Sequence, residues 1–483
     1  MKEKLMTFLK EIGFYFYPNS LRKLGDEIYI FVAKKDFEKM IGILKKGNFR
    51  LSLPYFSEDK YIEEIDYFLN LYPLSFENFL ILKENFGISP TTCNNKTSFG
   101  TGDRLGLVTP AHISSLGKYS VFPILAQQSP RELIKTNRNF KDVLLKVIMG
   151  VLEVGYHGKF GADADHIKDE NYLMEGISAG FTLYTLDVSD LLLDISKIPV
   201  SEQREKFRKL SSFSKRIIED FSGKKFYISS TEYFEISEEE LCKSALIYEK
   251  AMSFIEMIYE ILKNKNIEFD LEISIDEGDK ETTVEDHLFV AEYLHRKGIE
   301  FWSIAPRFPG EFQKAIDYKG DINRFSEELK KHYLLSNKLE GYKLSLHSGS
   351  DKFSIYKVFS EITQGNFHIK TSGTSWLQGI RLIAEKDKEL FYELYKIALE
   401  NLEESKKAYK VSIRKEDLPS DFNPEESITI FEKPEVKQLF HISYGVLLEE
   451  KKKRIYEVLN KYEEEHYKLV SENIDKHLKE IFS

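Results

Sequence analysis

From residue 97 onward the chain repeats one pattern: a short apolar or β-branched run that ends abruptly in polar, chemically versatile residues. It occurs eight times, in SFGTGD (98–103), SVFPILAQQS (120–129), KFGADADH (159–166), FTLYTLDVS (181–189), LEISIDE (271–277), EFWSIAPR (300–307), YKLSLHSGS (342–350) and FHIKTSGTS (367–375). Helix-like segments separate most of the runs. Residues 141–154 put apolar side chains at 144, 145, 148, 151 and 152 on one helical face. Thr282-Thr283-Val284-Glu285 has the pattern of a capping box opening a helix that Gly298 can close, and Gly365 can close another over 354–363. Strands alternating with helices predict a parallel sheet. Eight of them predict an α/β fold of the (β/α)8 TIM-like barrel type, whose chemistry lies at the C-terminal strand ends, where these polar termini fall. An open doubly wound sheet with binding loops along one edge is the alternative.

The barrel spans 96–403 in this reading, with a long insertion at 190–265, after the fourth strand, that looks largely helical and could form a lid. Residues 1–95 read as an N-terminal α/β cap domain, with a β-like run at 28–32 and a helical stretch at 35–46. Residues 404–483 read as a C-terminal helical extension ending in a charged amphipathic helix over 451–481, its charges on a solvated face.

The charge balance, 69 Lys plus Arg against 79 Asp plus Glu for a net −10, argues against a nucleic-acid binder that works by neutralising phosphates. No run of roughly 18 apolar residues suggests a membrane span. The first seventeen residues lack the compact apolar run of a signal peptide. Cys93 and Cys242 stand alone, too few for a disulfide scaffold or a cysteine zinc site, which suits a reducing cytosol. The expectation is a cytoplasmic protein acting on a small molecule, with no feature that sets its oligomeric state.

Asp163 and Asp165 share a strand face, and a turn at the rim can bring His166 to the mouth beside Asp165, pairing a base with a metal ligand. Glu272, Ser274 and Asp276 lie on the polar face of the fifth run. A carboxylate pointing inward there needs a metal, an Arg or a Lys, because burying it unpaired costs several kcal/mol. His347 and His368 end the last two runs and, with His166, suggest an imidazole-bound divalent cation. The loops after them, Ser348-Gly349-Ser350 and Thr371-Ser372-Gly373-Thr374, open helices and can offer N–H groups to an anion. Asp103, Arg104, Gln127, Gln128, Arg131 and Arg307 complete the rim. Arg suits carboxylates and Gln suits sugar hydroxyls. His287, His295, His332, His466 and His477 fall on charged helical stretches and are expected at the surface.

The strings SFGTGDRLGLVTPAHI, PILAQQSPREL, KFGADADHIK, LEISIDE, GYKLSLHSGSDKFS and FHIKTSGTSWL, in order from about residue 97 to 380, resemble the tagaturonate/fructuronate epimerase family. VKQLFHISYGVLL near His441 is a fainter echo. The resemblance implies a cytoplasmic isomerase of hexuronate catabolism that interconverts D-tagaturonate and D-fructuronate and needs a divalent metal. It implies Asp165 as proton acceptor, Glu272 as proton donor, and His166 and His347 as metal ligands. A third ligand would come from the stretch at 310–313, where Gln313 stands in place of the relatives' Glu, and His368 competes for that role. Arg104, Gln127, Gln128, Arg307, Ser348, His368 and Lys370 would bind the sugar acid. Zinc, manganese, nickel, cobalt and iron all suit such ligands. A metal-dependent aldolase or ketose isomerase for another sugar acid would use the same groups. A two-carboxylate glycoside hydrolase would not need the imidazoles.

Overall fold

The eight runs form the eight parallel strands of one closed barrel in a computed structural model that describes residues 1–47, 60–93, 96–276, 278 and 280–483. The strands are β1 (Thr97–Thr101), β2 (Phe122–Gln128), β3 (Gly161–Ile167), β4 (Leu183–Asp187), β5 (Asp270–Ser274), β6 (Ser303–Ala305), β7 (Lys343–Leu346) and β8 (Phe367–Thr371). Neighbours pair in parallel around the ring, and β8 closes it on β1 from Phe367↔Thr97 to Thr371↔Thr101. Glu277, at the end of the fifth run, lies outside the described residues.

Alternation along each strand sorts its side chains. In β5, Leu271 and Ile273 join the large core shared with the helices, which leaves Glu272 and Ser274 for the barrel axis. In β8, Phe367 and Ile369 do the same and leave His368 and Lys370. The hydrophobic pattern that closes the barrel therefore also aims its polar groups inward.

Helix Phe140–Glu153 starts at a capping box between Asn139 and Asp142. Helix Val284–Arg296 is boxed by Thr283 and Asp286, one residue later than the Thr282–Glu285 frame. Thr282 instead ties together the loops after β5 and β6, its hydroxyl donating to Ile275 O and accepting from Arg307 N.

Six antiparallel strands precede the barrel, packed with helix Lys2–Glu11. Here one expectation fails. The stretch expected as helix at 35–46 is strand Glu38–Lys45, which pairs along its whole length with strand Ile28–Lys35. Asp36, at φ 53, turns the chain straight back. Gly42, a poor helix former, leaves room for the Phe31 ring, which a Cβ would meet at 2.1 Å.

The insertion after β4 carries helices Val200–Lys209 and Ser212–Phe221, a small hairpin of Lys225–Tyr227 with Tyr233–Glu235, and the long helix Glu238–Asn264. It packs on the outer helices: Phe213 meets Tyr293 edge to face at 4.8 Å, and Arg296 pairs with Asp220 at 2.8 Å. The expected terminal helix over 451–481 is two helices, Pro434–Lys461 and Glu463–Ile481, broken at Tyr462. Their apolar faces cover the barrel, burying Ile455, Leu459, Val470, Ile474 and Leu478. That packing and the helix contacts behind β5 and β7 correct the histidines as well. His287, His332, His466 and His477 are buried, and His295 is half-buried. Among the described residues no helix is long and apolar enough to cross a membrane.

Helix Thr374–Lys386, after β8, begins at Gly373 with φ 81, where a Cβ would lie 2.5 Å from His441 Cε1 and 2.9 Å from Arg104 Cζ. Gly373→Ala combines a left-handed backbone with that collision and is expected to cost about 1–3 kcal/mol. The urea midpoint should fall at constant m-value. An unchanged midpoint would mean that the Arg104–His441 pair gives way freely.

Candidate active site

The Lys370 ammonium occupies the barrel axis near the C-terminal strand ends, 3% exposed at its side chain. Its Nζ lies 2.7 Å from Asp163 Oδ2, 2.7 Å from Asp165 Oδ1 and 2.9 Å from Glu272 Oε1, and donates to Thr185 Oγ1 at 2.7 Å. Thr185 donates in turn to Asp163 Oδ1 at 2.9 Å, and Ser303 donates to Glu272 Oε2 at 2.5 Å. The side-chain axis of β8 thus meets those of β3, β4, β5 and β6 at one point.

Burial penalises each charge here, and the neighbours decide which survive. Burial pushes the Asp163 carboxyl up to about 7 against the pull of Lys370, so near neutrality it can hold a proton. For Asp165 the same penalty is outweighed by His166 and Lys370, which keep its carboxyl below the ordinary carboxylate range. Glu272 is held well below that range by Lys370 and His347 despite complete burial. The three carboxylates outweigh the burial of Lys370 and hold its ammonium charged.

At the end of β3, His166 adopts φ 57, a left-handed conformation uncommon for a non-glycine residue. That twist turns its ring to the same side as Asp165, with Nδ1 2.7 Å from Asp165 Oδ1. Across the mouth stands His347, its ring centroid 5.3 Å from that of His166. His347 Nε2 lies 2.7 Å from Glu272 Oε1 and its Nδ1 3.0 Å from Asp276 Oδ1. Burial works against a charge on this ring, but Asp276 and Glu272 raise it to about 9. A protonated imidazole between two carboxylates stands where a divalent cation would find oxygen and nitrogen donors, so the donor set suits such an ion in kind. Among the described residues no three His, Cys, Asp or Glu side chains already converge as a ligand cluster.

Above Lys370 lies a small chamber of about 40 Å³, lined by Arg104, Gln127, Asp165, His166, Lys314 and Tyr409 among others. Arg131, Lys314, His347, Ser348 and Tyr409 line both it and an outer cavity of about 550 Å³. The outer wall is residues 407–412, from the C-terminal extension. Among the described residues, five cations, Arg131, Arg307, Lys314, Lys407 and Lys410, line it with two acids, Asp276 and Glu311. This local excess opposes the net −10 of the chain.

The other expected site residues divide by position. Gln127 lines the inner chamber, its Nε2 donating to Thr371 O at 3.3 Å. Gln128 is buried beneath it and steadies Glu132. Glu132 holds Arg104, whose guanidinium also donates to His441 O and lies 3.8 Å over the Tyr444 ring. Arg307 reaches the outer cavity while donating to Gly278 O. Ser348 accepts from Lys314 at 2.8 Å. His368 sits in the layer below Lys370, bonded to Ser98 Oγ at 3.0 Å, with its ring against Trp302, and burial lowers it to about 3. Gln313 lines the outer cavity together with His347, and its Oε1 accepts from Ser412 N, Ser412 Oγ and Gln438 Nε2, pinning the outer wall. The two glycine-rich loops bond to each other, Ser372 N to Ser350 Oγ and Gly349 N to Lys370 O, so those N–H groups are already used. Lys314 and Tyr409 carry no local motif and enter the site only through tertiary packing.

The chain as a whole has counterparts among known proteins. The family model described as tagaturonate epimerase matches residues 17–481. A tagaturonate/fructuronate epimerase of Thermotoga maritima is 38% identical over 480 residues, 96% of each chain. The native crystal structure of a fructuronate-tagaturonate epimerase from Cohnella laeviribosi superposes with a TM-score of 0.90 at 31% identity, covering 99% of both chains. Its complex with one glycerol gives 0.90 at 32% identity over 99% of both. With the match running through cap, barrel and extension alike, the chain belongs to the tagaturonate epimerase family.

Proposed function

We propose that this barrel is an isomerase that interconverts tagaturonate and fructuronate, and that it does so by opening and remaking one carbon–carbon bond. The observation that carries the reading is the meeting of ionised Asp165 and Glu272 with Lys370 at the mouth of a barrel whose family match covers residues 17–481. The two sugar acids differ at the carbon β to the ketone. Its C–H is not adjacent to the carbonyl, so enolisation cannot invert it, whereas retro-aldol cleavage can.

In this mechanism Asp165 accepts the proton of the β-hydroxyl, an acceptance that requires the ionised carboxylate its neighbours enforce. The bonding pair passes to the ketone fragment as an enediolate, and the former hydroxyl carbon becomes an aldehyde. The fixed ammonium of Lys370, in a site closed to bulk water, opposes the negative charge that builds up. The aldehyde turns, the bond reforms on its other face, and the proton held by Asp165 passes back to the new alkoxide, with Glu272, on the same Lys370 ammonium and backed by His347 at 2.7 Å, taking it from Asp165 and handing it on. A divalent cation, held by His166 and His347 with help from Asp276 or Glu272, supplies Lewis-acid stabilisation of substrate oxygens when bound. Two cysteines, neither in a disulfide, fit action in the cytosol on a small anionic sugar acid.

Dialysis against a chelator should abolish tagaturonate conversion, and one divalent metal should restore it. Full activity in metal-free protein would overturn the cation's part. Carbon-labelled dihydroxyacetone should exchange into the sugar acid during turnover, while strict exclusion of label together with a copurifying nicotinamide would replace cleavage by a redox route. Asp165→Asn and Glu272→Gln should each lower kcat by roughly 10²–10⁴-fold with unchanged circular dichroism. Lys370→Met strips three buried carboxylates of their counter-charge and should destabilise the fold by about 3–5 kcal/mol, part of which Lys370→Met/Glu272→Gln recovers. A single variant as stable as the parent would show that the carboxylates do not depend on this ammonium.

A further inference from the structure

Cleavage of the substrate beside its epimeric carbon yields two fragments with different needs. The ketone side becomes an enediolate, rich in negative oxygen. The other side is an aldehyde that still carries the carboxylate. An epimerase must let that aldehyde turn about the bond to its neighbouring carbon without letting it leave. Its carboxylate, the one charged group of the fragment, can anchor it while the aldehyde moves.

We propose that Arg131 and Lys314 seat the substrate's carboxylate, and that this seat retains the aldehyde fragment while the carbon–carbon bond is open. The proposal rests on the retro-aldol reading above. Both cations line the boundary between the inner chamber, which holds Asp165, His347 and Lys370, and the outer cavity. Lys314 Nζ donates to Ser348 Oγ at 2.8 Å, one residue from His347. Arg131 Nη1 donates to Ala408 O at 3.1 Å, and its guanidinium lies 4.8 Å over the Tyr409 ring.

Other cations stand nearby in the same mouth. Lys370 is ringed by its three carboxylates. Arg104 is held by Glu132, His441 O and Tyr444. Arg307 donates to Gly278 O. The positive field is visible in the neighbours. Burial holds the His441 imidazole neutral, and Arg104, Lys314, Lys352 and Arg131 push it the same way. The Lys135 ammonium is likewise lowered by burial and then by Arg131 and Arg104. A carboxylate that reaches the boundary of the two cavities can give one oxygen to the guanidinium of Arg131 and the other to the ammonium of Lys314. Tyr409, whose hydroxyl donates to Tyr444 at 3.3 Å, positions Arg131 from the C-terminal extension.

The test uses the full-length, metal-loaded enzyme and the variants Arg131→Met, Lys314→Met and Arg131→Lys. Arg131 is exposed, so its replacement leaves the core intact, and circular dichroism confirms the fold of each variant. The first readout is calorimetric binding of an inert aldonate. Both Met variants should weaken it by roughly tenfold or more, while Arg131→Lys recovers part of the loss. The second is aldehyde captured by a hydrazine per epimer formed, near zero in the parent and raised by about tenfold or more in the Met variants. Unchanged aldonate affinity in both Met variants overturns the seat. Weakened affinity without captured aldehyde, in an enzyme whose parent exchanges labelled dihydroxyacetone, overturns retention. Absence of that exchange in the parent instead fails the retro-aldol reading and leaves the seat standing on the affinity result.

Discussion

One buried ammonium organises the site. Lys370 joins carboxylates from β3 and β5, and through Thr185 it reaches β4. None of these carboxylates could remain ionised at full burial without a counter-charge. The barrel's geometry forces the encounter, because inward residues on different strands converge at the axis. The fold thus supplies the position and the ammonium makes the charge tolerable. The result is a graded set of acids. Asp163, pushed up to about 7, can store a proton, while Asp165 and Glu272 stay ready to accept one.

A second level of electrostatics surrounds the first. The chain carries −10 overall, yet its substrate class is anionic. Among the described residues the cations lining the outer cavity outnumber its acids, and a cleft with low-dielectric walls concentrates such a local field. The anion grip was expected from helix N-termini in the two glycine-rich loops. In the structure Gly349 N donates to Lys370 O and Ser372 N to Ser350 Oγ, which ties the first loop to β8 and to the second loop.

What the sequence made legible follows from range. All eight strands could be read because alternation and turn residues are local signals. The same signals place Asp165 and His166 on β3, Glu272 within β5 and His347 just past β7. The demand of Glu272 for a cation was readable from its inward register, and Lys370 from β8 answers it. The failures are tertiary. Helical spacing at 35–46 lost to a turn at Asp36 and a cross-strand partner. Four histidines on charged helices are buried because the covering segments arrive from far along the chain. The partners of Gln313 are equally non-local: its side-chain oxygen accepts from Ser412 and Gln438, which no local pattern announces.

Those distant partners give the C-terminal extension its meaning. A barrel can bind metal and bases at its rim without help, since each strand end contributes its own side chain. It cannot close a mouth with its rim alone. Residues 407–412 form the missing wall, pinned by Gln313 Oε1 below and by the Arg131–Tyr409 contact beside it. His441 and Tyr444, further along the extension, hold Arg104 from behind. The extension touches the cations, and the strand ends carry the bases. An isomerase working by bond cleavage needs that division, because the fragment that turns and the fragment that stays must be held by independent parts.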